Sequence, residues 1–352
     1  MDQNHRMLRA SSLAVFVTLL LGIAGCGGSA SVEPGLIVFS ARPDAADASG
    51  WQLFVMNGDG SGLRRLTHTD GDTWPVWSPD GTQVAFDRCC GSQAGTWLID
   101  WNGENERRLP VDGRGYTWSP DGKEIAFTRK VGEDSSEIAV ANIDGTNERT
   151  LVSNASAPVW SPHGDLIALE RGELYEERIY VMRADGSDVT SVTKGPGDSC
   201  AEWSPDGKRI AFCSGRDGEV YVVNADGSGL RRVSATTTSD SGFVIPFPAW
   251  SPDGRRLVFS TLGPRESEVI VVVDADGTDQ RTLSPLGAEY ITDKNPAWSP
   301  DGAEIVFVNG EAGLGGELWV MNADGTHRRR FTRGPFTEPD QGLDWATASQ
   351  SD

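Results

Sequence analysis

Histidine is scarce in this sequence: four occur in 352 residues. Three histidines lie beyond the N-terminal segment, at His68, His163 and His327, and each occupies a different position in its sequence context. We therefore do not expect them to converge on one metal ion, which argues against a histidine-based metal site. The Gly-x-Ser-x-Gly signature of serine hydrolases is also absent. We therefore expect no catalytic residue, no bound metal and no cofactor.

Basic residues are also in short supply, because 31 Lys and Arg stand against 51 Asp and Glu, a formal net charge of −20. Nucleic acids and anionic lipid surfaces are polyanions, and a chain this acidic is repelled by both. The charge keeps an exported domain in solution, and it favours a cationic or peptidic ligand over an anionic one. We expect no nucleic-acid partner.

Long apolar runs are missing except at the N-terminus, where residues 13–25 follow a basic start. Thirteen residues are too few to span a bilayer, and the pattern is typical of a secretory signal peptide. Small residues precede Cys26 as in a bacterial lipobox, which predicts a lipoprotein acylated on Cys26 and anchored to a membrane by lipid alone. The alternative is an ordinary signal peptide with an incidental cysteine. Residues 1–25 are thus the predicted signal peptide and residues 26–35 a flexible tether.

Four cysteines remain beyond Cys26. Cys200 and Cys213 flank one hairpin symmetrically, which places them as cross-strand partners and predicts a disulfide bond in an oxidising compartment. Two buried free thiols are the alternative. The adjacent Cys89 and Cys90 could form a strained bond, remain reduced or bind metal weakly.

A repeat dominates the rest of the chain. Trp-Ser-Pro, one further residue and Gly recur six times, with starts 41 to 48 residues apart, at Trp77, Trp118, Trp160, Trp203, Trp250 and Trp298. Each copy is followed by a short apolar run, a second β-rich run, an Asp-Gly type turn and a fourth short strand. A period of this length with four short strands is typical of a propeller blade.

Closure of the ring can be judged by counting strands. The apolar second strand and the Asp-Gly turn occur seven times, whereas the Trp-Ser-Pro unit occurs six times. Trp345 lies 47 residues after Trp298 and lacks the turn because no second strand follows it. We predict an all-β fold, one seven-bladed propeller over residues 36–346, whose first blade is closed by the C-terminal strand; residues 347–352 are a disordered tail. The repeat tryptophans are predicted to pack between blades.

The repeat resembles that of the TolB-like β-propeller family, which shows the same order of Trp-Ser-Pro-Asp-Gly, apolar strand, Asn-Ala-Asp-Gly turn and Leu-Thr. The resemblance implies the fold. It does not carry over the Tol–Pal partnership, since TolB has a separate N-terminal domain and is a free periplasmic protein, whereas only nine residues separate Cys26 from Leu36 here. The scattered histidines likewise differ from the metal site of the oligogalacturonate lyase propellers.

Function is expected on one face of the ring. The two kinds of tight turn must share a face, and the connections on the other face vary in length, which is typical of a binding surface. Four blades place an aspartate five residues before the repeat tryptophan, and these four residues are predicted to line an acidic channel mouth that binds a cation or a basic partner segment: Asp72, Asp198, Asp293 and Asp340. Their alternative role is turn capping or solvated loop charge.

These features together favour a monomeric, non-catalytic binding scaffold in the bacterial cell envelope that faces the periplasm or the exterior. Its variable loops are expected to contact an envelope protein. Two alternatives remain. One is an extracytoplasmic polysaccharide lyase or a glycoside hydrolase, because paired carboxylates serve glycoside hydrolysis. The other is a carbohydrate- or peptide-binding sensor.

Overall fold

The computed structural model of the protein describes residues 35–42, 50–89, 91–132, 135–173, 176–235, 246–263, 267–285, 291–311, 315–332 and 343–346. The predicted signal peptide, Cys26, most of the tether, Cys90, Asp340 and the tail lie outside the described residues. Within the described part, no helix is long and apolar enough to cross a membrane.

Seven antiparallel sheets of four strands each form the described structure, and they are numbered here as blades 1 to 7. From the inside outwards, blade 1 contains β28 (Leu343–Ala346), β1 (Leu36–Ala41), β2 (Gln52–Asn57) and β3 (Arg64–Arg65). Blade 2 contains β4 (Asp72–Trp77), β5 (Gln83–Arg88), β6 (Gly95–Asp100) and β7 (Arg107–Arg108). Blade 3 contains β8 (Arg114–Trp118), β9 (Glu124–Val131), β10 (Ser135–Asn142) and β11 (Arg149–Ser153).

The other four blades repeat this plan. Blade 4 contains β12 (Ser156–Trp160), β13 (Leu166–Arg171), β14 (Arg178–Arg183) and β15 (Thr190–Ser191). Blade 5 contains β16 (Asp198–Trp203), β17 (Arg209–Ser214), β18 (Glu219–Asn224) and β19 (Arg231–Arg232). Blade 6 contains β20 (Ala249–Trp250), β21 (Arg256–Leu262), β22 (Glu268–Asp274) and β23 (Arg281–Thr282), and blade 7 contains β24 (Ile291–Trp298), β25 (Glu304–Glu311), β26 (Gly315–Asn322) and β27 (Arg329–Arg330).

The Trp-Ser-Pro-Asp-Gly turn is held by its own polar side chains. In blade 2 the hydroxyl of Ser78 donates to Asp80 over 2.6 Å and accepts the N–H of Gln83 over 2.9 Å. Gly81 has φ 68°, a left-handed conformation that glycine adopts without strain. The motif therefore encodes a tight reversal from the first to the second strand of each blade.

The Leu-Thr pair after the outer strand also has a repeated role. The side chain of Thr67 accepts the N–H of Leu53 over 3.0 Å, and Thr193 does the same for Ile179 over 3.0 Å. A buried N–H at the start of the third strand is thereby satisfied without a longer outer strand. Six of the seven outer strands consist of two residues, and β11 is the exception.

The repeat tryptophans pack between blades, as predicted. All seven are buried, and Trp77 and Trp298 are at most 1% exposed. The indole N–H of Trp250 donates across the blade interface to the carbonyl of Glu202 over 3.1 Å, and that of Trp203 to the carbonyl of Val159 over 3.0 Å. These two indoles thus join neighbouring inner strands by both apolar burial and a hydrogen bond.

The C-terminal strand closes the ring, which confirms the predicted clasp. Leu343 pairs with Phe39 and Ala346 with Leu36 in an antiparallel ladder, so β28 is the inner strand of blade 1. Leu343 and Trp345 are each 5% exposed and pack in one apolar cluster with residues of β25 and β26 of blade 7 as well as of β1. The first and last parts of the chain therefore share one sheet, and the inner edge of β1 is covered.

Two faces of the ring follow from the strand order. The face that carries the Trp-Ser-Pro turns and the Asp-Gly turns is called the turn face; Gln83 and Asp100, one at each kind of turn, are joined by a 2.8 Å hydrogen bond there. The opposite face, which carries the connections such as β9–β10 and β11–β12, is called the loop face. Every connection predicted to vary lies partly outside the described residues, namely 41–50, 88–96, 234–247, 285–295 and 309–316.

Candidate functional site

Three of the four predicted aspartates lie within the inner strands of blades 2, 5 and 7, near the loop-face ends of those strands. Asp72 and Asp198 are fully buried and Asp293 is 2% exposed. Asp340 lies outside the described residues. The three are not open to solvent, so a partner would not meet them as a free acidic rim.

Each of the three carboxylates accepts hydrogen bonds from side chains of its own blade. Asp72 accepts from Arg88 over 2.6 and 2.9 Å, and Arg88 also lies 2.8 Å from Glu106. Asp293 accepts two bonds of 2.6 Å from Arg328. Burial raises the pKa of Asp72, and the hydrogen bonds from Arg88 oppose that rise. Local guanidinium groups neutralise these two aspartates, so neither requires a ligand cation to offset its charge.

Asp198 is held mainly by neutral donors. Its carboxylate accepts from the hydroxyl of Ser214 over 2.9 Å and from the N–H of Gly195 over 3.2 Å, and Arg216 lies 3.5 Å away. These bonds fix the start of β16 and the loop before it. The contacts support the turn-capping alternative at this position, and a binding role for the four aspartates stays a prediction.

Replacing Asp72 by asparagine is expected to lower the free energy of unfolding by about 2 kcal/mol, because the buried Arg88 then keeps only the partly exposed Glu106 as a charged partner. Urea unfolding measures the change, and Asp112→Asn, an exposed aspartate on the loop face, is the matched control. An unchanged or raised midpoint for Asp72→Asn would contradict the ion-pair role.

A second set of polar side chains joins neighbouring blades at the loop face. Inner strands contain a β-bulge with a left-handed residue, such as Ala157 (φ 51°) and Cys200 (φ 59°). The N–H of Ala157 donates to Thr128 of the preceding blade over 3.0 Å, and that of Cys200 to Glu170 over 2.9 Å. Asp87 accepts the N–H of Gly115 in the same way. In these blades the residue that follows the apolar run of the second strand thus supplies an acceptor to the next blade.

Two of these acceptors are buried acids. Desolvation raises the pKa of Asp87 to about 7 against the opposing effects of Arg114 and Thr96. Desolvation also raises the pKa of Glu170 to about 7, with the hydrogen bond from Cys200 opposing the rise and the charge of Glu177 adding to it. Each group therefore exchanges its proton near neutral pH.

A further pair of acids lies at the axis. Glu202 and Asp344 directly precede a repeat tryptophan on the inner strands of blades 5 and 1, and they are 8% and 1% exposed. Desolvation raises the pKa of Glu202 strongly and the charge of Asp344 raises it further; since blades 5 and 1 are not neighbours, that effect acts across the ring. Asp344 accepts the N–H of Trp77 over 2.9 Å, and its other oxygen has no hydrogen-bond partner among the described residues. Desolvation raises the pKa of Asp344 to about 7.

A groove of about 1040 Å³ opens on the loop face between blades 3 and 4, and it is called here the blade 3–4 groove. Blade 3 and the connection into blade 4 contribute Ser135, Ser136, Asn154 and Ala155. Blade 4 contributes Ser156, Glu170, Arg171, Gly172, Glu173, Glu176, Arg178 and Tyr180. Its walls are rich in hydroxyl, amide, guanidinium and carboxyl groups, so it suits a polar ligand.

The sequence prediction missed this groove, because it emphasised the longest connections and residues near the repeat tryptophans. A signal was nevertheless present. Glu170 ends the apolar run Ile167-Ala168-Leu169, at a position that is serine, threonine, cysteine or valine in five of the other blades. A carboxyl at a buried strand position is uncommon without a specific role.

The cysteines differ from expectation in register. Cys213 pairs with Ser199, whereas Cys200 lies in the bulge, so the predicted direct cross-strand pairing is wrong by one residue. Both are buried free thiols here, and the hydroxyl of Ser199 lies within 3.6 Å of each sulfur. Formation of the bond in an oxidising compartment stays a prediction. Cys89 is partly buried, and its neighbour Cys90 lies outside the described residues. The described residues contain no group of three or more His, Cys, Asp or Glu side chains that could hold a metal ion.

Known proteins share the architecture. The family model of the TolB β-propeller domain matches residues 116–340. A Tol-Pal system protein TolB from Zymomonas mobilis is 41% identical over 64 residues, which is 18% of this chain and only 14% of that protein. A Mycobacterium tuberculosis puromycin-hydrolysing peptidase has a TM-score of 0.66 at 18% identity, covering 86% of this chain and 53% of its own. An oligogalacturonate lyase from Vibrio parahaemolyticus has a TM-score of 0.61 at 11% identity, covering 81% and 91%. These structural likenesses extend to the fold alone.

Proposed function

Because this chain belongs to the TolB β-propeller domain family, we propose that it is a non-catalytic binding scaffold of the bacterial cell envelope that docks a protein partner on its loop face. The observation that carries the proposal is the blade 3–4 groove, a polar cleft on the face opposite the uniform turns. Loops on one side of a rigid scaffold are where propellers can vary without disturbing the ring.

The orientation of β1 supports the same face. Leu36 pairs with Asn57, and the carbonyl of Gly35 accepts the N–H of Gly58 over 2.6 Å, so the chain enters β1 from the turn face. A lipid on Cys26 followed by a short tether would place the turn face toward the membrane and the loop face away from it. The loop face is then the side that a partner can approach.

The charge of the turn face bears on what could hold the protein at the membrane. Hydroxyl hydrogen bonds, reinforced by backbone N–H groups, lower the pKa of seven turn aspartates, which are Asp59, Asp121, Asp144, Asp185, Asp226, Asp276 and Asp324. These aspartates stay ionised at neutral pH, and anionic lipid headgroups repel their negative charge. The lipid, rather than the protein surface, would therefore supply the attachment.

Acylation of Cys26 can be tested separately from partner binding. Cys26→Ser removes the thiol that would be acylated, so the protein should leave the membrane fraction, either released or unprocessed at this site. Fractionation of cells followed by mass spectrometry of the N-terminus measures both effects, with Cys89→Ser as the control. A Cys26→Ser variant that is still processed and tightly bound would contradict the lipid anchor.

Partner docking can be tested by purification of the native protein from detergent-solubilised membranes after mild chemical crosslinking. The proposal expects one dominant envelope protein to be crosslinked to this chain at near-stoichiometric yield. That protein should no longer be recovered when access to the loop face is blocked. Recovery of the chain alone at every crosslinker concentration would contradict it.

An enzymatic role is the second candidate, and Glu170 is the observation that favours it. Glu170 lines the edge of the groove with its carboxyl toward blade 5, and a carboxyl with a pKa of about 7 has the proton affinity of a general acid. A polysaccharide lyase or glycoside hydrolase would cleave polygalacturonate or peptidoglycan strands and lose that activity in Glu170→Gln. Our proposal expects no cleavage of either polymer by the wild-type protein.

A further inference from the structure

Blade 2 carries an exposed tryptophan on the turn face. Trp101 is 44% exposed, and among the described residues only Val131 and Leu230 are large apolar side chains of similar exposure. Trp101 is the second residue of its Asp-Gly type turn, a position at which the other six blades have smaller residues, namely Gly58, Ile143, Ala184, Ala225, Ala275 and Ala323. The repeat therefore does not require an aromatic side chain here. Single exposed apolar residues are common on protein surfaces, so the surroundings of Trp101 decide whether it has a role.

Arg64 of blade 1 fixes the turn that carries Trp101. Its guanidinium donates to the carbonyl of Trp101 and lies 5.7 Å from the centre of the indole ring. This cation–π contact positions the ring, and the residue is still 44% exposed. The indole is thus held in place on the turn face and stays accessible, and the contact joins it to blade 1.

The chain enters the ring beside the equivalent turn of blade 1. The N–H of Gly58 donates to the carbonyl of Gly35 over 2.6 Å, and a Cβ atom on Gly58 would lie 2.8 Å from that oxygen. In blade 1 the incoming chain therefore packs against the turn position that Trp101 occupies in blade 2. Cys26 precedes Gly35 by nine residues, which span at most about 32 Å when fully extended. A lipid on Cys26 would keep this side of the turn face close to the bilayer.

The charge of the blade 2 turn differs from that of the other blades. Its third residue is Asn102, and the other six blades have an aspartate there: Asp59, Asp144, Asp185, Asp226, Asp276 and Asp324. One of the carboxylates that repel anionic headgroups is thus missing beside Trp101. Asp100 and Glu104 still flank the turn, so a zwitterionic lipid surface fits it better than an anionic one.

Resting on the proposed lipid anchor, we propose that Trp101 contacts the membrane and that its indole inserts into the headgroup region of a zwitterionic phospholipid bilayer. Tryptophan favours this region because its ring is apolar and its N–H donates to polar groups. The acyl chains on Cys26 supply the attachment, and the indole sets the tilt of the ring on the bilayer. Blades 1 and 2 then lie closest to the lipid, and the loop face points away from it.

The test uses the native lipoprotein, purified from detergent-solubilised membranes and reconstituted into phosphatidylcholine vesicles with or without brominated acyl chains. Bromine quenches tryptophan fluorescence at short range, and flotation of the vesicles reports the anchor in the same sample. The wild type should be quenched, and the quenching should fall roughly threefold or more in Trp101→Phe. Trp51→Phe is the matched control, because Trp51 is a partly exposed tryptophan directly before β2 on the loop face. It should be quenched as the wild type is.

Flotation without quenching, quenching that persists in Trp101→Phe, or an equal loss in Trp51→Phe would overturn the membrane contact. Stronger quenching after phosphatidylglycerol replaces part of the phosphatidylcholine would overturn the choice of a zwitterionic surface. A wild-type protein that does not float contradicts the anchor, and the contact fails with it. Flotation without quenching leaves the anchor standing, and partner docking on the loop face is decided separately by the crosslinking of membranes.

Discussion

The protein is expected to melt at a higher temperature at pH 5.5 than at pH 8.5, by about 5 °C or more. Asp87, Glu170 and Asp344 are buried and have pKa values raised to about 7 by desolvation. In the unfolded chain these carboxyls titrate near their ordinary values of about 4. Between those two values the folded state holds more protons, so stability falls as the pH rises from about 4 through 7.

The size of the effect follows from the linkage relation. Over the interval from pH 5.5 to 8.5 each raised carboxyl should weaken the fold by roughly 1–2 kcal/mol, and three such groups should act additively if they are well separated. The turn aspartates, whose pKa values are lowered, lose their stabilisation only in more acidic solution, below this interval. The buried acids therefore determine the sign of the change in stability with pH over this interval.

The axial pair offers a direct check. Replacing Asp344 by Asn removes one of these three groups while it keeps an acceptor for the N–H of Trp77. Replacing Glu202 by Gln removes a second buried acid, whose pKa is raised strongly by desolvation and further by the charge of Asp344. The double variant should gain stability mainly at pH 8.5 and show a shallower slope, whereas Asp112→Asn should keep the wild-type slope. Thermal unfolding by circular dichroism at constant ionic strength measures all three. A wild-type protein that is more stable at pH 8.5 would contradict the account.

Deleting the closing strand is expected to have the largest single effect. Removal of residues 340–352 takes away β28, exposes the edge of β1 and empties the site of Trp345, whose ring centre lies 6.5 Å from that of Phe331. Loss of a buried tryptophan alone costs about 3–5 kcal/mol, and the open edge adds to that. The truncated ring should therefore unfold at much lower temperature or fail to fold.

The matched control is deletion of residues 347–352, which keeps every residue of β28. That shorter truncation should melt within about two degrees of the full chain. If the longer truncation melts equally close to the full chain, the clasp contributes little, and the closure seen in the register of β1 and β28 does not stabilise the ring.

The fold was predictable because its signals are local and repeated around the ring. The Ser78 to Asp80 hydrogen bond and the left-handed Gly81 are encoded within five consecutive residues, so the turn can be inferred from any one copy. The closing strand was predictable by counting, since Trp345 has the spacing of a first strand without a second one. Neither inference required knowledge of contacts between distant residues.

The site was less predictable because it depends on contacts within and between folded blades. Arg88 lies 16 residues from Asp72 and neutralises it only after the hairpin forms, a pairing that no local pattern marks. The link from Glu170 to Cys200 crosses a blade interface and depends on a one-residue bulge. The same bulge shifts Cys200 from the partner position that a regular hairpin would give it.

The loop face as docking surface is tested most directly by photocrosslinking at two single positions in cells. A photoreactive amino acid replaces Asn154, which lines the blade 3–4 groove, or Asp276, which is exposed in a turn on the opposite face. The account predicts one dominant protein adduct from position 154 and none from position 276. Adducts from position 276 alone, or the same adducts from both positions, would contradict it.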